Sequence, residues 1–86
     1  MAEVTAWGIT HLGVAADAIL VMRDCNAPMT IDEIQARAQI PDEQMRELRT
    51  FLVGYMRQGV IVNGDPVQGP NWPVPTFQLV EGQWAT

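Results

Sequence analysis

Leu12, Ala15, Ala18, Ile19 and Met22 recur at helical spacing and predict a helix over about residues 11–25, with Thr10 placed to cap its start. Val14, Val21 and Cys25 widen the apolar stripe, leaving Asp17, Arg23 and Asp24 on a narrow polar side. So wide a stripe fits either the central helix of a small bundle or a helix that also seals a homodimer through Val14, Ala18 and Val21. Pro28 disfavours helical geometry at Ala27, and Asn26 tolerates the left-handed conformation of a helix end, so the helix stops there. Thr30-Ile31-Asp32-Glu33 then reads as a capping box, with Met29 and Ile34 as its hydrophobic staple. It opens a short helix over about 31–38 that turns Ile31, Ile34 and Ala38 inward.

Pro41-Asp42-Glu43 starts a third helix, over about 42–58, in which Met45, Leu48, Leu52, Tyr55 and Met56 share one face and Gly59 is the stop. Two strands follow, at about 60–63 and 76–80: Val60-Ile61-Val62 is continuously β-branched and Thr76 to Val80 alternates. The connection over 63–75 holds four prolines and two glycines, so it is long and stiff and cannot pair as a regular strand. Residues 1–9 have no clear period; Val4, Trp7 and Ile9 suit a short strand or a hydrophobic arm, with Trp7 docked, and residues 83–86 read as a tail. The expected fold class is α+β, mainly α with a small β-hairpin, in a single domain over 1–86.

With 48% hydrophobic and 17% charged residues, the chain can bury enough apolar surface to order itself. Net charge is −5, and all five cations are arginines, which disfavours a general polyanion binder. A single cysteine, Cys25, excludes an internal disulfide and suits a reducing compartment. The apolar run from Leu12 to Met22 is too short to span a bilayer and carries Asp17, so no membrane contact is expected and a cytoplasmic protein is.

Catalytic chemistry finds little support. If His11 and Cys25 both lie on the first helix, their 14-residue separation is about 21 Å, too far for a nucleophile and its base. No carboxylate pair with ligand-like spacing flanks either residue, so no metal is expected. Asp32-Glu33 and Asp42-Glu43 sit at helix starts, where the dipole accounts for them, and no phosphate-binding glycine motif is present. The expectation is a protein that binds, without cofactor and without enzymatic activity.

The order of elements resembles the winged helix-turn-helix superfamily. The resemblance covers about residues 10–82 and is carried by Thr30-Ile31-Asp32-Glu33-Ile34 in the second helix and by Leu48, Leu52 and Tyr55 in the third. Gln58-Gly59-Val60-Ile61-Val62 then leads into the first strand. It implies that the third helix enters the major groove, with its exposed face formed by Glu43, Arg46, Glu47, Thr50, Val53, Gly54 and Arg57. Arg46 and Thr50 would contact bases or phosphates, with Arg37 and Arg49 converging nearby.

Charge placement argues the other way. Asp42, Glu43 and Glu47 surround the end of the helix that would approach DNA, and no lysine or arginine follows Arg57. Glu33 with Arg37, and Asp42 with Arg46, stand at i,i+4, where pairing along the helix is expected. Trp72, between Asn71 and Pro73 on the stiff loop, either folds back over the hairpin or the first helix, or stands out as an anchor for a protein. Trp84 near the C-terminus invites the same two readings.

Two functions follow. One is a small regulatory or adaptor module binding a protein through Trp72, Asn71 and Val74, and through the acidic start of the third helix at Glu43 and Glu47. The other is a transcriptional regulator that reads duplex DNA as a dimer, with Arg46, Thr50, Arg37, Arg49 and Arg57 as contacts.

Overall fold

A computed structural model describes residues 3–80. Strands β1 (Glu3–Ala6) and β2 (Ile9–Leu12) lead into helices α1 (Gly13–Cys25) and α2 (Ile31–Ala38). A single 3-10 turn (Asp42–Gln44) precedes α3 (Met45–Arg57), and strands β3 (Ile61–Asn63) and β4 (Phe77–Leu79) complete the order. The result is an α+β fold of three helices and two separate two-stranded antiparallel sheets, β1-β2 and β3-β4.

The short strand that residues 1–9 suit is present, with Trp7 docked on the core, but residues 10–12, expected as the cap and start of the first helix, are strand as well. Residues 9–12 form a strand paired with 3–6, joined by the two-residue turn Trp7-Gly8. Both turn residues have positive φ, 54° and 74°, as a tight turn matched to strand twist requires. The first helix therefore begins at Gly13 and not at 11: Thr10 faces Thr5 across the hairpin, and Leu12 occupies the cap position with no side-chain bond. Gly13, at φ 61°, swings the chain from strand into helix.

His11 is consequently a strand residue and is buried. Its Nε2 shares a 2.7 Å hydrogen bond with the Tyr55 hydroxyl on α3. Trp7 stacks on Tyr55 with ring centroids 4.6 Å apart, and Phe51 meets Tyr55 edge-on at 4.9 Å. Such ring pairs contribute about 0.5–1.5 kcal/mol each beyond area burial. The hairpin thus covers a flank of α3, which is why Phe51, outside the predicted stripe, is buried with Met45, Leu48 and Leu52.

The local signals for α2 and for the C-terminal ends of the helices correspond to the structure, whereas the third helix, expected from about 42, begins at Met45 because residues 42–44 wind as a separate 3-10 turn. Thr30 Oγ1 accepts from the Glu33 amide at 3.2 Å, and Glu33 Oε1 accepts from the Thr30 amide at 3.0 Å. Asn26 is left-handed at the end of α1 and donates its amide to the Met22 carbonyl. Gln39 adopts the same conformation after α2, and the Gln35 amide group bonds both the Ile40 carbonyl and Asp42 Oδ1, holding the turn into α3. Ile19, Met22, Met29, Ile34, Leu48, Leu52, Ile61 and Leu79 meet in the core.

The breadth of the α1 stripe is explained inside the chain, because α1 packs against α2, α3, β1, β2 and β4. Val14 and Ala18 are buried in that core and Val21 packs against it, so the face considered for a dimer seam is covered by the protein's own elements. Leu12, counted there among the core positions, is instead exposed on β2.

Tyr55→Phe removes the only bond that His11 Nε2 makes and leaves the buried imidazole without a partner at either nitrogen. Urea denaturation should show a loss of about 1–3 kcal/mol, with the helical circular dichroism of the native state unchanged.

Candidate functional site

Two surfaces carry most of the residues that the sequence singles out: the outer face of α3 and the connection between β3 and β4. On α3, Arg46, Glu47, Arg49, Thr50, Val53 and Arg57 are exposed and Gly54 is half-buried. The expected i,i+4 ion pairs do not form. The Glu33 carboxylate is taken by the capping box, and Asp42 accepts from Gln35 at 2.6 Å. Among the described residues the one ion pair is between Arg23 and Asp24, at 3.7 Å. Arg37, Arg46, Arg49 and Arg57 therefore present their guanidinium groups without carboxylate partners among the described residues.

Thr50, one of the expected contacts, donates its hydroxyl to the Arg46 carbonyl at 2.9 Å, so its proton is used within the helix. Arg49, Thr50, Val53, Gly54 and Arg57 line a shallow depression of about 350 Å³. Gly54 is one of its lining residues. A glycine in mid-helix costs about 1 kcal/mol relative to alanine, yet a Cβ at Gly54 would meet nothing within 4 Å and its φ is not positive. Neither the backbone nor the packing of this chain requires glycine there.

The second surface is built outward from the core. Met29 and Phe77 exchange two backbone hydrogen bonds, Met29 N to Phe77 O at 3.0 Å and Phe77 N to Met29 O at 2.7 Å, which join the segment before α2 to β4. Beside them the buried Thr76 donates its hydroxyl to the Asp65 carbonyl at 3.0 Å, and its own carbonyl accepts from the Asn63 side chain and the Gly64 amide. Gly64 lies so close to Pro28 that a Cβ would stand 2.7 Å from the ring.

Further out, Val67 and Val74 exchange backbone bonds of 3.0 and 2.8 Å in an isolated antiparallel bridge. The 63–75 connection is thus pinned at two levels, and only the tip from Gln68 to Pro73 projects beyond the upper one. Within that tip, a Cβ on Gly69 would stand 2.5 Å from the Trp72 carbonyl, so the backbone closes tightly under the tryptophan. Trp72 itself is 69% exposed, the most open of the large hydrophobic side chains among the described residues.

Of the residues assigned to a protein contact, Asn71 and Trp72 share the exposed tip, and Val74 is half-buried beneath it. Glu43 is exposed on the 3-10 turn and Glu47 in the first turn of α3, away from the tip in the chain. Trp84 lies outside the described residues. Thr76, Asn63 and Gly69 position the tip through contacts within the chain. The flanking valines at 67 and 74, around a Gly-Pro turn, are the sequence signal for that closure.

His11 and Cys25 do not share a helix, since His11 sits on β2 against Tyr55 and Cys25 at the end of α1. Among the described residues no group of three His, Cys, Asp or Glu side chains is arranged to hold a metal ion, and no helix is long and apolar enough to cross a membrane. No protein-family model matches the chain, and comparison with curated proteins and with solved structures gives no match either.

Gly54→Ala should raise stability by about 1 kcal/mol, the helix propensity difference with no packing penalty set against it. Paired urea melts of the two proteins check this; a loss of stability would mean that the glycine serves the fold.

Proposed function

We propose that the chain is a non-enzymatic binding module of the winged-helix type, a regulatory or adaptor protein that grips a protein partner through the wing tip around Trp72. The observation that carries this reading is a 69% exposed tryptophan on a tip whose backbone is already fixed. A rigid aromatic buries a large area on binding with little conformational entropy left to lose, which is what interface anchors supply. The wing contains Asp65 and no cation, so it suits a protein surface better than a phosphate backbone. Glu43 on the 3-10 turn and Glu47 in the first turn of α3 repel phosphate in the same way.

Trp72→Ala leaves the core and both bridges in place. Pull-down from the source cells with wild-type bait should enrich a partner that the variant loses by at least about thirtyfold in affinity, the effect of a hot-spot residue. Equal capture by both proteins refutes the wing as the anchor.

A second reading, a regulator that reads duplex DNA through α3, gains from one observation: Arg46, Arg49 and Arg57 are exposed and free of carboxylates. Titration of a fluorescent mixed-sequence duplex at low salt is its test. If the reading holds, binding is saturable and falls steeply with salt, and Arg46→Ala costs about 1 kcal/mol or more and flattens the salt slope.

A further inference from the structure

We infer that the outer face of α3 is a docking site for a short, extended acidic peptide. Two carboxylates of the ligand pair with Arg49 and Arg57, and one large apolar side chain between them covers Val53. The surface is separate from the wing tip, and nothing in it depends on Trp72.

Helical geometry sets the row. Arg49, Val53 and Arg57 follow one another at intervals of four residues, so they form one ridge along α3 with the valine midway and the arginines about 12 Å apart along the axis. All three are exposed, Val53 by 48%. The depression that they line with Thr50 and Gly54 includes no carboxylate among the described residues. Thr50 turns its hydroxyl back onto the Arg46 carbonyl and Gly54 has no side chain, so one flank of the ridge lies open to a chain laid along it.

The order cation, apolar, cation selects its ligand by charge complementarity. In an extended chain, residues two apart face the same way, and carboxylates four positions apart stand about 13 Å from each other with the middle side chain between them. A peptide with Asp or Glu at its first and fifth positions and a leucine or an aromatic at its third therefore matches the ridge. The extended form suits a short ligand, because isolated helices of fewer than about 12 residues are marginal in water.

Duplex DNA matches the row less well. Phosphates make no use of the exposed valine, and a duplex carries a charge about every 1.7 Å of its axis. Charges that overrun the ridge meet Glu47 in the first turn of α3 and Glu43 on the turn before it. A peptide with two carboxylates places both of its charges on arginines. The other acidic groups of this chain of net charge −5 are then screened beyond about 10 Å at 0.1 M salt.

The test is fluorescence anisotropy of a dye-labelled peptide with Glu-Ala-Leu-Ala-Glu at its centre, titrated with the protein in about 0.1 M salt. Saturable binding is expected that weakens as salt is raised and is lost when both glutamates of the peptide are replaced by glutamine. Arg49→Glu and Arg57→Glu, at exposed positions that leave the helical circular dichroism intact, should each weaken it about tenfold, through the loss of one pair and the gain of one repulsion. Val53→Ala should weaken it about threefold, and Trp72→Ala should leave it unchanged.

A peptide that does not saturate by about 1 mM protein overturns the inference, and so does equal binding of the glutamine peptide. Binding that both arginine reversals leave unchanged also overturns it; if Trp72→Ala abolishes that binding, the ligand sits on the wing and the reading of the wing as an anchor stands. A duplex that binds more tightly than the peptide through the same two arginines assigns the face to nucleic acid and overturns the inference as well.

Discussion

The paired backbone bonds between Met29 and Phe77 are the contact on which the exposed surfaces depend. Met29 is at once the residue ahead of the α2 capping box, a buried core side chain and the partner of β4, so one position ties the helices to the hairpin. From that tie the chain is fixed stepwise outward, through Thr76 and Asn63 to the bridge between Val67 and Val74. Trp72 stands at the far end of this ladder, and its exposure is a consequence of how firmly the base is held.

The arginines of α3 are left open for a related reason. The carboxylates that sequence spacing assigns to Arg37 on α2 and to Arg46 on α3 have stronger local uses, one in a capping box and one in the turn between α2 and α3. A hydrogen bond to an unsatisfied amide at a helix start serves a group that has no other partner, whereas an exposed ion pair is worth little in water. The chain therefore carries an acidic total charge and a cationic strip together, separated by which carboxylates the turns consume. The one histidine is engaged with Tyr55 inside the aromatic cluster.

Much of the helical frame was legible because its signals are local. The capping box sets the start of α2 at Ile31, Asn26 ends α1, and Gly59 follows α3, each through hydrogen bonds within a few residues. Residues 10–12 depart from the expected helix start for the opposite reason. His11 and Leu12 fit a helical period as well as an extended one, and Trp7-Gly8 lacks the asparagine or aspartate that usually announces a two-residue turn. What decides for the hairpin is a distant residue: Tyr55, 44 positions along the chain, which bonds His11 and stacks on Trp7. The burial of Phe51 follows from the same docking.

The candidate site divides in the same way. Sequence alone singled out Trp72, the stiff proline-rich connection and the outer face of α3, because prolines, charges and helical period are written position by position. Whether Trp72 folds back or stands out, whether the arginines are paired, and whether Gly54 has an internal purpose were decided only by the tertiary structure. Each of those depends on which groups distant in sequence arrive first at the same place, and hydrogen-bonding partners and packing space are exclusive once taken.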